Sequence, residues 1–297
     1  MAEAIVIDGK VVAARVRQGV AAAAVELRAL HGIVPGLAAI LVGDNPASQM
    51  YVRSKARACA VAGIASFEHS LPEATTEAEV IALIDRLDAD ERVDGILVQL
   101  PLPSTIAPQR VIDAIDPQKD VDGFHPLNIG RLWSGQPTLV PCTPQGCLIL
   151  LKTVHSSLAG AEAVIVGRSH IVGRPLAALL TAADCTVSVT HSKTRDVPAI
   201  CRRADILIAA SGQPAMVKAE WVKRGATVID VGISQVVAPD GTTRLVGDVD
   251  FAKVRAVAGA ITPVPGGVGP MTIACLLRNT VIAACRRRGL SDPPELS

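Results

Sequence analysis

The chain has 297 residues, of which 49% are hydrophobic, 19% charged and 2% aromatic, and its formal net charge is +1. That length predicts two domains, each with its own core, and that balance excludes bulk disorder and any general nucleic-acid or anionic-membrane surface. The seven cysteines form no C-x-x-C pair, so they read as reduced thiols of a cytosolic protein and not as a disulfide frame or zinc site.

With so few aromatics, the core must be built from Ala, Val, Ile and Leu. Glu3 and Asp8 depart from the basic-then-apolar pattern of a signal segment. The apolar run nearest the C-terminus is cut by Arg278, short of a membrane span, so a soluble protein is expected.

Gly9 to Leu30 reads as one Ala/Val-rich helix closed by His31-Gly32. Leu37–Val42 is a strand of the fully buried kind, and Pro46–Ala62 is a helix that stops at Gly63. Ile64–His69 is a strand. Thr76–Leu87 is a helix capped by Thr75 or Thr76, with acids in its first turn. Gly95–Leu100 is again a buried strand, leading into Pro101. Alternation of this kind predicts a parallel sheet with helices on both faces. From Ser104 to Pro144 only one short helix, Gln109–Ile115, interrupts a long irregular stretch. A helix near Gln145–Thr153 then leads into a second domain. Its later elements are predicted as helix Val197–Arg203, strand Ile206–Ala210, helix Lys218–Arg224 and strand Thr227–Val231. The last helix is expected over Thr272–Arg287, and the tail Ser291–Ser297, with two prolines, is expected to fray.

The second domain opens on AVIVGRSHIVGRPLAALL, Ala163 to Leu180, which reads as strand, glycine turn, helix. The free N–H groups and dipole of such a helix start favour an anion, and glycines let the backbone approach a phosphate closely. The spacing is not G-x-G-x-x-G, because Ser169 stands where the second glycine would be, and a plain βα turn is the alternative. A strand over Thr186–Thr190 follows, and after it come His191, Ser192, Lys193, Thr194 and Arg195 before any acid. Hydroxyl and basic groups there suit an extra phosphate, so NADP is preferred over NAD. A solvated polar turn is the bland reading of the same residues.

In QMYVRSKARAC, Gln49 to Cys59, residues four apart share a helix face. Arg53 and Arg57 fall together on one side. Tyr51 and Lys55 fall on the other, flanked by Cys59 and Ala62. A lysine on the less polar face is a candidate for a lowered pKa and acid–base work, or else one that snorkels past Tyr51. Gln99 ends a strand where ligands of open α/β sheets sit, and a neutral amide can bond a lysine without holding it charged. It could equally satisfy the loop that follows. Asp116, Asp120 and Asp122 lack the further oxygen ligands of a calcium loop, so no metal is expected. One of these acids could accept two N–H donors from a planar amidine-like edge, with the others acting as turns or caps. The loop Pro265–Gly269 could approach a flat ligand or be a plain connection.

Four stretches, YVRSK (Tyr51–Lys55), VQLPLP (Val98–Pro103), KDVDGF (Lys119–Phe124) with GRSHIVGRP (Gly167–Pro175), and PVPGGVGPMT (Pro263–Thr272), resemble one family. It is the bifunctional methylenetetrahydrofolate dehydrogenase/methenyltetrahydrofolate cyclohydrolase family, and the match in order and spacing spans nearly the whole chain. The resemblance implies an α/β protein of two parallel-sheet domains. One is a folate-binding domain, residues 1–144 plus 272–297; the other is a Rossmann-like NADP domain, residues 145–271. It further implies a C-terminal helix returning to the first domain, a substrate cleft between the domains, a homodimer, and one-carbon metabolism feeding purine biosynthesis. By the same resemblance Lys55 is the acid–base residue, Tyr51 packs on the folate, Gln99 tunes Lys55 and Asp122 binds the pterin edge. Val98, Gln99 and Leu100, with the backbone of Pro265, Gly266, Gly267, Val268 and Gly269, line the folate site. Gly167, Arg168, Ser169, Ser192 and Ile233 contact NADP. His170 inside the turn and the lead-in His155–Ala161 depart from the family pattern.

Two rivals remain in view. Tyr-x-x-x-Lys also occurs in short-chain dehydrogenases, but there the cofactor turn precedes the motif and here it follows. That is the first rival, another NADP-dependent dehydrogenase; the second, a non-catalytic NADP-binding sensor, would not need Lys55, Gln99 and Asp122 together.

Overall fold

The computed structural model describes residues 3–237 and 241–296. The chain divides into two compact units, one of residues 14–142 and 273–297, the other of residues 1–13 and 143–272. In chain order the elements begin with β1 (Ile5–Val6), α1 (Gly9–His31), β2 (Gly36–Val42), α2 (Pro46–Ala62) and β3 (Ala65–Leu71). Then come α3 (Glu77–Ala89), β4 (Gly95–Val98), α4 (Pro108–Asp113), α5 (Pro126–Trp133) and α6 (Cys142–Lys152).

In the unit of residues 14–142 and 273–297, β2 is central and pairs in parallel with β3 on one side and β4 on the other. Every residue of β2 is buried, as a strand covered on both faces requires. Ala38, Ile40 and Val42 pack with Val80, Ile84 and Leu87 of α3 and with Ile96 and Val98 of β4. The helix α3 starts where its acids and cap predict. The Thr76 hydroxyl accepts the Glu79 N–H at 3.3 Å, and the Thr76 N–H donates back to Glu79 Oε2 at 2.7 Å. The stretch read as irregular holds a second helix, α5, opened by His125 as cap and Pro126 at its first position.

The chain continues through β5 (Glu162–Val166), α7 (Gly173–Ala182), β6 (Thr186–Thr190), α8 (Val197–Cys201), β7 (Ile206–Ala209) and β8 (Thr227–Asp230). It ends with β9 (Ser234–Val237), β10 (Thr243–Val246), α9 (Phe251–Val254), β11 (Ala260–Ile261) and α10 (Val268–Arg286). The unit of residues 1–13 and 143–272 holds a parallel sheet in the order β1-β11-β8-β7-β5-β6, with β9 and β10 as a separate antiparallel hairpin. Residues 1–13 therefore go with the six-stranded sheet and not with residues 14–142, because β1 pairs with β11. No strong sequence signal marks two-residue strands, so β1 and β11 are legible only from their partners.

Four further expectations are corrected. The segment Lys218–Arg224 forms only a single 3-10 turn, Ala219–Trp221, because Val222 goes extended and buries its side chain. The last helix begins at Val268, four residues early, and its Asn279 and Arg287 reach residues of the 14–142 segment. It is also long and apolar enough to cross a membrane by composition, Arg278 notwithstanding, but is mostly buried within the protein. Residues 291–296 of the tail do not fray, Ser297 lying outside the described residues: Leu296 is buried, its carbonyl accepts from Arg278 Nε at 2.8 Å, and Arg286 pairs with Asp292 at 2.6 Å.

Candidate functional site

The helix α2 buries the stripe Val52, Lys55, Cys59 and Ala62, while Arg53 and Arg57 are exposed. Lys55 is only 9% exposed, far below the level usual for a lysine. Its Nζ donates to Gln99 Oε1 at 2.9 Å. Gln99 directly follows β4, and its backbone N–H donates to the Ile40 carbonyl of β2 at 2.8 Å. The chain leaves β2 toward β3 on one side and returns as β4 on the other, so Gln99 stands at the topological switch point of this sheet. The Gln99 amide nitrogen donates to the Leu100 carbonyl at 2.7 Å, which turns its oxygen toward the lysine. Removal from water lowers the Lys55 pKa, and the nearby Asp122 carboxylate pulls the other way.

Asp122 is fixed by what holds its neighbours. Asp120 forms a bridge beside Ile96 of β4, and its buried carboxylate accepts from the N–H groups of Gly123 (3.1 Å) and His125 (2.8 Å) and from Asn128 Nδ2 (2.9 Å). The Val121 carbonyl accepts from Cys142 Sγ at 3.2 Å and from Asn279 Nδ2 at 2.9 Å. Burial pushes the Asp122 carboxyl up to about 6, Asp120 adds to the rise, and Lys55 opposes it. Asp116 accepts the Gln118 N–H at 2.8 Å, so Asp116 and Asp120 serve as turn acceptors, as the spacing suggested. The supporting residues Asn128, Cys142 and Asn279 carried no sequence signal, because their partners lie up to 158 positions away.

Other expected site residues are placed differently. Tyr51 is 45% exposed, since it sits at the margin of the buried stripe one turn before Lys55. Val98 packs its side chain into the core, leaving only its backbone for a ligand. Pro265, Gly266, Gly267, Val268 and Gly269 belong to the other unit, and Val268 and Gly269 are already helical. Gly267 packs so closely that a Cβ there would press on Thr262 and the Pro263 carbonyl oxygen.

In that second unit the glycine turn has the form a phosphate needs. Gly167 has φ +132°, and a Cβ there would collide with the Ala210 carbonyl oxygen. A Cβ on Gly173 would collide with the Gly167 carbonyl oxygen. Ser169 Oγ accepts the N–H groups of Val172 (3.2 Å) and Gly173 (3.4 Å), so the serine at the second-glycine position spends its hydroxyl within the turn. Gly167 N–H donates to the Thr190 carbonyl at 2.9 Å, which ties this turn to the end of β6. Just beyond, Ser192, Lys193 and Arg195 are exposed, as are Arg168 and Ile233. The sheet order places β5 between β6 and β7, the switch point at which dinucleotides bind, and the turn between Gly167 and Gly173, with hydroxyl and basic groups beside it, fits NADP.

Comparison with known proteins gives the same picture. Residues 7–122 match the family model of the tetrahydrofolate dehydrogenase/cyclohydrolase catalytic domain, and residues 141–288 match its NAD(P)-binding domain. Bifunctional protein FolD 2 of Paracoccus denitrificans is 59% identical over 288 residues, covering 97% of this chain and 95% of that protein. The bifunctional enzyme FolD of Campylobacter jejuni superposes with a TM-score of 0.91 at 48% identity, over 95% of this chain and 99% of that one. The Trypanosoma brucei methylenetetrahydrofolate dehydrogenase-cyclohydrolase, solved with NADP and an inhibitor, gives 0.92 at 40% identity, over 97% and 99%.

Proposed function

The chain belongs to the tetrahydrofolate dehydrogenase/cyclohydrolase family and is a bifunctional NADP-dependent enzyme of that kind, and from this premise we propose that Lys55, Gln99, Asp122 and Tyr51 carry its chemistry. The dehydrogenase half oxidises 5,10-methylenetetrahydrofolate to the 5,10-methenyl cation, and the cyclohydrolase half hydrolyses that cation to 10-formyltetrahydrofolate. NADP, when bound, accepts the hydride from the methylene carbon. That carbon lies between two nitrogens that stabilise the resulting cation, so the step asks the protein for positioning more than for a base.

Hydrolysis asks for more. Water adds to the methenyl carbon and loses one proton; one C–N bond then breaks as the new hydroxyl gives up its proton to become the formyl C=O and the departing nitrogen takes a proton up, so that one proton is released overall. Lys55 is suited to both transfers, because burial brings its pKa down toward the working range and Gln99 holds it without a compensating negative charge. The 2.9 Å contact between a buried amine and a neutral amide is the observation that carries this reading. Asp122 is assigned to the pterin edge as an acceptor of two N–H groups, and the exposed Tyr51 ring to stacking on the folate. Val98 and Leu100 are assigned to the folate through their backbone. Gly167, Arg168, Ser169, Ser192 and Ile233 are assigned to NADP, with Arg168 and Ser192 toward the 2′-phosphate.

We read the enzyme further as a cytoplasmic homodimer supplying one-carbon units for purine biosynthesis. The seven buried cysteines, none of them in a disulfide, support a reducing compartment, and sedimentation equilibrium tests the dimer. The function is tested by mixing protein, NADP and methylenetetrahydrofolate and following ultraviolet absorbance. Reduced cofactor should accumulate while the methenyl product rises and then decays. NADPH binding with no turnover of the folate would instead support the sensor reading.

A further inference from the structure

Beyond the residues assigned to NADP, two buried acids stand together, one at the end of β8 and one just after β10. Asp230 closes β8 and is 3% exposed; Asp248 follows β10 and is fully buried. Asp248 Oδ2 accepts three donors from the turn after β7: the Ser211 N–H at 2.6 Å, the Ser211 hydroxyl at 3.0 Å and the Gly212 N–H at 2.8 Å. Asp230 Oδ1 accepts the N–H groups of Gly232 (3.0 Å) and Asp248 (2.8 Å), and its Oδ2 accepts that of Val249 (3.0 Å). Burial pushes the Asp230 carboxyl up to about 7 against the pull of these donors.

The two acids interlock through glycines. A Cβ on Gly232 would collide with Asp248 Oδ1, and a Cβ on Gly247 would collide with Asp230 Oδ2. The Ala215 N–H donates to the Gly247 carbonyl and the Val217 N–H to that of Asp248, each at 2.9 Å, which stitches the segment around Asp248 to the chain after β7. Ala210, whose carbonyl packs on Gly167, directly precedes the Ser211 that Asp248 holds. Ile233 directly follows the Gly232 that Asp230 holds. The turns after β5, β7 and β8 are thus joined at the switch point of the sheet.

We propose that Asp230 and Asp248 are positioning residues for the nucleotide, a buried clasp that fixes the turns after β7 and β8 and sets NADP affinity without touching NADP. This rests on the placement of NADP over the Gly167 turn. The two oxygens of Asp248 are unequal: Oδ2 accepts three donors, whereas Oδ1 is buried with no hydrogen-bond partner among the described residues. An asparagine at 248 can keep its oxygen at the first position and put its NH2 at the second. At 230 both oxygens accept from N–H groups, so an asparagine must aim N–H at N–H.

The clasp is tested by isothermal titration of NADP against the full chain and its variants, with thermal melts and cyclohydrolase turnover of supplied methenyltetrahydrofolate as controls for folding. Asp248→Ala and Asp230→Asn should each weaken NADP by about tenfold or more, while Asp248→Asn stays within about threefold of the parent. Ser211→Ala removes one donor and leaves the backbone in place, so it remains informative should the acid variants fail to fold. It should weaken NADP by about twofold to fivefold. Folded variants that all bind like the parent, or an Asp248→Asn as weak as Asp248→Ala, would overturn the clasp. A parent chain whose NADP affinity ignores Gly167→Ala would overturn the underlying placement instead.

Discussion

The lysine site and the nucleotide turn are built on opposite physical plans. Around Lys55 the chemistry lies in side chains: a buried amine, a neutral amide turned toward it and an acid whose carboxyl burial has raised to about 6. Around Gly167 it lies in the backbone, where positive φ and the lack of a Cβ matter and Ser169 spends its hydroxyl on two N–H groups of its own turn. The first kind of site should fail by losing chemistry with the fold intact. The second should fail by losing affinity with the chemistry intact.

Lys55→Met breaks the comparison most sharply. Cyclohydrolase activity should fall by about a thousandfold or more, while NADPH formation from methylenetetrahydrofolate stays measurable, as two stopped assays on one preparation would show. Equal loss of both activities would make Lys55 a residue of binding or fold. Gly167→Ala should raise the NADP Kd by about tenfold to a hundredfold, because a side chain there meets the Ala210 carbonyl at an unfavourable φ. Ser192→Asp should weaken NADP about tenfold more than NAD, measured as a ratio of Kd values, because a carboxylate would face the 2′-phosphate. Equal effects on both would refute that contact.

The smallest effect is one of pH. With a carboxyl pKa of about 6, Asp122 is ionised and accepts N–H donors above that pH, and is protonated below it. The folate KM should therefore climb about threefold to tenfold as pH falls from 7 to 5, and Asp122→Asn should flatten that slope while raising KM throughout.

Much of this was legible in the sequence because it is local. The i, i+4 spacing put Lys55 and the two arginines on different faces, the capping residues located α3, and the glycine turn announced β5 and α7. What was not legible depends on partners distant in the chain. Residues 1–13 join the other unit only because β11 offers β1 an edge. The tail holds because Arg278 and Arg286 meet it, and Asp122 is steadied by Asn279 through the Val121 carbonyl. Tyr51 shows the limit of periodicity itself: a face can be predicted, but not how far the buried stripe extends along it.

The central claim is that Lys55 gives up its proton more readily than an exposed lysine because it is out of water beside an uncharged partner. A titration of side-chain-labelled lysine by NMR, with Lys55→Met to assign the signal, tests this directly. The account predicts that the Lys55 signal titrates below those of the exposed lysines and moves upward in Gln99→Glu. A Lys55 signal that titrates with the exposed lysines, indifferent to residue 99, would contradict it.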